Sequence, residues 1–392
     1  MGKPVGDAQG EVAYASGFLE WFASESRRIC GEIVPSPSET RQHWHEREPC
    51  GVVGIITPWN FPYAMITRKV GAALACGCTV VVKPAEDTPL TALALAELSR
   101  KAGIPKGVFN VITTAHDRSK EIGKRMCETT DIDVISFTGS TPVGKLLLAQ
   151  SANTVKRVCL ELGGNAPFIV FESANIDKAV QGLMAAKFRC AGQTCVCPNR
   201  IFVQASVYDR FLERLTPLVQ QLTVGDPKSS KTNIGPLINK SAVEKIQSLV
   251  DDALSRGATR LIGAEVNSDC GELFYTPGIL TDVAESMPIY QCEQFGPVIV
   301  VKKFETESEV LRLANDVRVG LSGYFYSRDL AQIRRVSRRL QVGMVGVNET
   351  LISCAEGAFG GVKESGLGRE GAEQGVDEFT NWKYVCVETN VD

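Results

Sequence analysis

The stretch Gly51-Val-Val-Gly-Ile-Ile-Thr-Pro-Trp-Asn-Phe-Pro62 decides the fold. Its first half is a short apolar, β-branched run with no polar alternation, and Pro58 ends it. A strand apolar on both faces belongs in a sheet covered on both sides. The residues that follow repeat the pattern. A helix is expected over 63–76, a buried strand in Thr79-Val-Val-Val-Lys83, a helix over 90–102 closed by Gly103 and Pro105, and a strand over 108–112. A further helix is expected over 118–127, a strand over 133–137, a helix after Thr138-Gly-Ser140 running to Ala152, and a strand over 157–162. Alternating strands and helices with short turns specify a parallel α/β sheet.

The second half follows the same style, with strands over 166–171, 297–302, 323–326 and 343–347 and helices over 176–189, 208–222, 242–256 and 308–317. At 392 residues the chain is too long for one core, so two or three domains are expected. A helix is expected over 11–30, stopped by Gly31. Residues 32–50 are extended and polar, and the strand expected at 382–388 has no local partner. The two are expected to pair, within one subunit or between two.

Net charge is −3, with 44% hydrophobic and 22% charged residues, which gives no reason to expect nucleic acid or an anionic membrane as partner. No apolar run is long enough to cross a bilayer. Thirteen cysteines without framework spacing point to free thiols in a reducing intracellular compartment. Cys76-x-Cys78 and Cys195-x-Cys197 lack the spacing of a structural zinc site, and no metal is expected. Gly139 to Lys145 satisfies G-x-x-x-x-G-K, but Leu146 stands where a P-loop needs a hydroxyl for Mg²⁺.

Most of the thirteen thiols are expected to be small core residues. Cys195 differs by its company: Gly192-Gln-Thr precedes it and Pro198 follows, so it sits on a turn. Glu161-Leu-Gly-Gly164 offers a carboxylate able to swing near it, a pairing suited to covalent catalysis. Asn60, between Trp59 and Phe61, carries an amide able to stabilise an oxyanion. Lys83 and Glu86 follow a buried strand and suit a ribose, while the turn at Gly139 and Ser140 opens a helix and suits a phosphate.

With Pro58-Trp-Asn60, Phe137-Thr-Gly-Ser140, Glu161-Leu-Gly-Gly164, Gly192-Gln-Thr-Cys195 and Glu293-Gln-Phe-Gly-Pro297 in this order, the chain resembles the NAD(P)-dependent aldehyde dehydrogenase superfamily over its whole length. A finer resemblance is to the branch acting on succinate semialdehyde. Met65-Ile-Thr-Arg-Lys-Val-Gly-Ala-Ala73, Phe188-Arg189, Cys195-Val-Cys197 and Gly343-Met-Val-Gly-Val-Asn-Glu349 carry it.

The resemblance implies a Rossmann-type NAD-binding domain (1–31, 51–163 and 366–380), a catalytic α/β domain (164–365) and oligomerisation strands (32–50 and 381–392) in a homodimer or homotetramer. It implies Cys195 as nucleophile, Glu161 as base and Asn60 as oxyanion donor. NAD is expected rather than NADP, bound by Trp59, Lys83, Glu86, Gly139, Ser140, Glu293 and Phe295.

The implied substrate is a small aldehyde bearing a carboxylate, clamped by Arg68 and Arg189 with a hydroxyl from Ser353. The alternatives are another small or ω-carboxylated aldehyde, or a catalytically silent member of the family. Cys197, two residues from the nucleophile, suggests a reversible oxidative off-switch. Relatives extend beyond Met1, and their extensions carry early elements of the nucleotide domain and any mitochondrial presequence. Cys292 stands where an acid is usual, and Ala358 where a proline is usual.

Overall fold

The computed structural model describes residues 1–390 and divides them into two compact units. One comprises Glu11–Leu160, Cys354–Phe359 and the residues from Leu367 onward; the other comprises Met1–Gly10, Glu161–Ser353 and Gly360–Gly366.

The first unit holds a six-stranded sheet in the order Gly366–Leu367, Arg157–Glu161, Val134–Thr138, Val52–Ile56, Thr79–Lys83 and Phe109–Val111. Val52–Ile56 runs parallel to both Thr79–Lys83 and Val134–Thr138. From Val52–Ile56 the chain steps outward to Thr79 and Phe109, then crosses to Val134 on the other side, so the strand order reverses there. Val53, Ile55, Val80, Val82 and Val134 form the core with Phe18, Phe22, Ile66 and Val70 from the helices Val5–Glu25 and Ala64–Ala75. Close packing shows at Gly54, where a Cβ would sit 3.0 Å from both Ile135 and Met126 side chains.

One expectation for this unit needed correction. The first helix runs Val5–Glu25, not 11–30, and a 3-10 turn at Ser26–Arg28 ends it before Gly31. Gly6 and Gly10 in its first half hid its start from a reading of apolar spacing. The polar stretch 32–50 forms strands Glu32–Val34 and Arg41–Pro49. Thr380–Glu388 pairs antiparallel with Arg41–Pro49 along its full length, within the same chain. His43 and His45 lie against Tyr384 at ring distances of 5.5 and 5.6 Å.

The second unit holds a seven-stranded sheet in the order Thr259–Ile262, Gly278–Thr281, Val298–Phe304, Pro198–Gln204, Ala166–Val170, Ser322–Tyr326 and Met344–Val347. Every pairing is parallel except the first. Its core includes Phe168, Ile169, Ile201, Phe202, Ile299 and Phe325. Helices Ile176–Phe188 and Lys240–Ser255 start at asparagine caps, where Asn175 and Asn239 accept the N–H groups of Lys178 and Ala242. The strand Pro198–Gln204 and the helix Leu330–Arg339 were not expected from sequence. The first ten residues, placed by sequence in the nucleotide domain, belong to this unit. Among the described residues no helix is long and apolar enough to cross a membrane.

Candidate active site

In the second unit, three sequence motifs meet around Cys195. This cysteine is half-buried, while Thr194, Val196 and Cys197 beside it are buried. Cys197 N–H donates to Thr194 O at 3.0 Å and closes the turn that presents the thiol. Gln193, buried, donates from Nε2 to Cys190 O at 3.1 Å and accepts the Ile238 N–H at 2.9 Å. Tyr324 donates its hydroxyl proton to Val196 O at 2.8 Å. Ahead of the turn, Cys190 and Ala191 both adopt left-handed φ of 55°, and Asp7 accepts the Cys190 N–H at 2.8 Å. Only tertiary contacts hold two adjacent non-glycine residues there.

Glu161, almost fully buried, is the last residue of its strand. Ser365 fixes the loop after it by accepting the Leu162 N–H on its carbonyl and donating its hydroxyl to Gly163 O, at 2.8 and 2.7 Å. Gly164 then passes so close that a Cβ there would lie 2.5 Å from Cys195 O. A Cβ on Gly192 would collide with Gly296 O, which brings in the third motif. Glu293 of that motif accepts the Gly164 N–H at 3.1 Å. Burial pushes the Glu293 carboxyl up to about 7, against the pull of that N–H and of Lys245. Phe295 follows with a left-handed φ of 63°.

Five of the seven cofactor candidates, Trp59, Lys83, Glu86, Gly139 and Ser140, lie in the first unit, at the carboxyl ends of three neighbouring strands. Trp59 and Asn60 follow Val52–Ile56, Lys83 ends Thr79–Lys83, and Gly139 and Ser140 follow Val134–Thr138. These are the strands at which the order reverses, where open α/β sheets bind ligands. Asn60 is buried, and its Oδ1 accepts the Phe61 N–H at 3.1 Å, which orients Nδ2 as the donor end. Ser140 precedes helix Thr141–Ser151 without capping it through its side chain. Burial alone would raise the Glu86 carboxyl, but the Ser119 hydroxyl, its own backbone N–H and Lys83 hold it below the ordinary carboxylate value. Lys83 Nζ stands 3.5 Å from Glu86.

The expected substrate residues have different surroundings. Arg189 is half-buried at the start of the 3-10 turn leading to Cys195, and Ser353 is half-buried in a loop. Arg68 is 1% exposed, with Nε on Glu370 and its guanidinium 4.3 Å over the Phe359 ring. Lys69 also pairs with Glu370 and donates to Ser136 Oγ at 3.0 Å. The sequence reading missed this buried Arg68–Lys69–Glu370 group. Two adjacent cations in a helix whose residues from Ala64 to Ala73 are all buried were the available signal. Cys197, buried, turns its thiol to the carbonyls of Lys187 and Pro198. Among the described residues no group of three or more His, Cys, Asp and Glu could hold a metal ion.

The aldehyde dehydrogenase family profile matches residues 1–385. The chain belongs to the aldehyde dehydrogenase family. It is 54% identical to human mitochondrial succinate-semialdehyde dehydrogenase over 386 residues, 98% of this chain and 72% of that protein. Among solved structures, an Escherichia coli NADP dependent enzyme superposes with a TM-score of 0.97 at 47% identity, covering 99% of this chain and 80% of the other. The succinate-semialdehyde dehydrogenase of Burkholderia pseudomallei superposes with a TM-score of 0.96 at 50% identity, with the same coverage. An aldehyde dehydrogenase oxidises aldehydes with NAD(P), and the α/β architecture of both units is that of the family.

Proposed function

We propose that the chain oxidises succinate semialdehyde to succinate with NAD as hydride acceptor. The supporting observation is the meeting of Cys195, the loop after Glu161 and Glu293 in one unit, in a chain half identical to proteins named for that activity. In this scheme Cys195, as thiolate, bonds to the aldehyde carbon. Asn60 Nδ2 and the Cys195 N–H receive the oxygen that becomes negative. Bound NAD supplies the hydride acceptor. Glu161 then takes a proton from water as the water attacks the thioester on Cys195, which releases succinate and restores the thiolate.

The residues of the first unit fit a nicotinamide dinucleotide. Glu86, held ionised beside Lys83, offers a carboxylate to a ribose hydroxyl and opposes the 2′-phosphate of NADP. Trp59, Gly139 and Ser140 would line the pyrophosphate, Glu293 would hold the nicotinamide ribose, and Phe295 would flank the ring. At the far end of the substrate, Arg189 and Arg68 provide planar forks for its carboxylate, with Ser353 as a hydroxyl donor. Arg68 presents Nε to Glu370, and in this scheme its Nη groups would take the ligand carboxylate. The three-stranded sheet of Glu32–Val34, Arg41–Pro49 and Thr380–Glu388 carries exposed Ile33, Trp382 and Tyr384, a surface suited to a second copy of the chain. The human relative's name supports a mitochondrial location.

The test compares NADH formation from succinate semialdehyde, glutarate semialdehyde and an uncharged aldehyde of similar length. Arg189→Ala is expected to lower kcat/KM about a hundredfold for the carboxylated substrates alone. No NADH formation by folded, NAD-binding protein would refute the activity, and an equal loss on all three aldehydes would refute the clamp.

A further inference from the structure

Lys187 lies behind the Cys195 turn, and among the described residues no carboxylate pairs with it. It is the penultimate residue of helix Ile176–Phe188 and is fully buried. Its Nζ donates to Asn199 Oδ1 at 3.3 Å and to Gln294 Oε1 at 3.4 Å. Gln294 in turn donates from Nε2 to the carbonyls of Asn199 and Ile289, both at 3.3 Å. The Lys187 carbonyl accepts the Cys197 thiol at 3.6 Å, and its ammonium draws that thiol down against the effect of burial. One side chain therefore joins the helix leading into the turn, the strand leaving it and the segment that carries Glu293 and Phe295.

An ammonium in such a place is costly. Burial strips the ion of its hydration, and a methionine of similar length would fill the volume without that penalty. Neutral amide oxygens at 3.3 and 3.4 Å return only part of that cost. What the lysine adds over an apolar residue is direction, because its donors fix Asn199 and Gln294 relative to each other. Both of these amides are themselves buried, and Gln294 is next in sequence to Glu293.

We propose that Lys187 is a positioning residue that locks the Cys195 turn to the Glu293–Phe295 segment, so that nucleophile and cofactor-binding carboxylate keep one relative geometry. This rests on the assignment of Cys195 as nucleophile and Glu293 as ribose ligand.

The experiment uses the full chain with Lys187→Met, Gln294→Met and the double substitution. Each single change is expected to raise KM for NAD about tenfold while lowering kcat less. The double variant is expected to be no worse than the weaker single, since both break the same link. Asn199→Asp, which keeps an acceptor for Nζ, is expected to stay within about twofold of wild type. Iodoacetamide labelling of folded protein, read by peptide mass spectrometry, gives a measure that needs no turnover. Cys197 is expected to be labelled about tenfold faster in Lys187→Met than in wild type.

If wild type forms no NADH, the functional assignment fails, and the labelling still judges Lys187. The inference is overturned if KM for NAD and Cys197 labelling are both unchanged in Lys187→Met, or if the effects of the two single changes multiply. Should Lys187→Met fail to fold, Gln294→Met carries the same expectations.

Discussion

Gly164→Ala is the sharpest perturbation the site offers. The added methyl would lie 2.5 Å from Cys195 O and 3.3 Å from Leu321 Cβ. Ordinary contact begins at 3.4 Å, so the two backbones must part by about 0.9 Å. Neither side yields easily. Ser365 holds the Gly163 carbonyl, and the Cys195 turn is fastened through Gln193 and through Tyr324 on Val196. The displacement falls on the nucleophile itself and on the N–H that Glu293 accepts. A misplacement of about 1 Å in a reacting group costs on the order of a hundredfold in rate. The expectation is a kcat about a hundredfold below wild type for succinate semialdehyde, with the protein still folded. The assay is steady-state NADH formation, with circular dichroism melting as the fold control. A folded Gly164→Ala protein with kcat within about threefold of wild type would refute the packing described between the Glu161 loop and the nucleophile turn.

Three further outcomes are expected. Glu293, raised from 4.5 to about 7, binds its proton more tightly folded than unfolded, so it contributes a stability loss as pH climbs from 4.5 to 7. Melting curves should show wild type losing ground to Glu293→Gln across that window, and parallel curves would contradict it. Arg200, buried, donates to the carbonyls of Asn165, Leu313 and Ala314. Arg200→Met leaves three buried acceptors unserved and should cost about 3 kcal/mol or more in urea unfolding, where a loss under about 1 kcal/mol would count against it. For the proposed oxidative switch, peroxide should inactivate wild type in a thiol-reversible way that Cys197→Ala loses; persistence of reversibility in that variant would remove Cys197 from the scheme.

The nucleotide-type sheet was legible because Val52–Ile56 and Thr79–Lys83 are short β-branched runs buried on both faces. The strand Pro198–Gln204 escaped because Asn199 and Arg200 interrupt its apolar run. Its polar groups are satisfied by Lys187, Gln294 and distant carbonyls, partners that no local window contains. Helix Leu330–Arg339 was missed because Val336 is its one buried residue, although Asp329 caps it and accepts two N–H groups. In the site, Cys195, Glu161 and Glu293 carried glycine-marked turns that reading could find. Asp7 on Cys190 and Glu370 on Lys69 are separated by 183 and 301 residues, and only folding brings them together.

The antiparallel pairing of Thr380–Glu388 with Arg41–Pro49 sets an order of events during synthesis. Residues 41–49 leave the ribosome more than three hundred codons ahead of position 388 and wait until then as a ribbon with one open edge. That edge is the part of the nascent chain most open to wrong partners, including its neighbours on the same message. A frameshift just ahead of codon 380 would therefore do its harm far upstream, by leaving the ribbon unclosed.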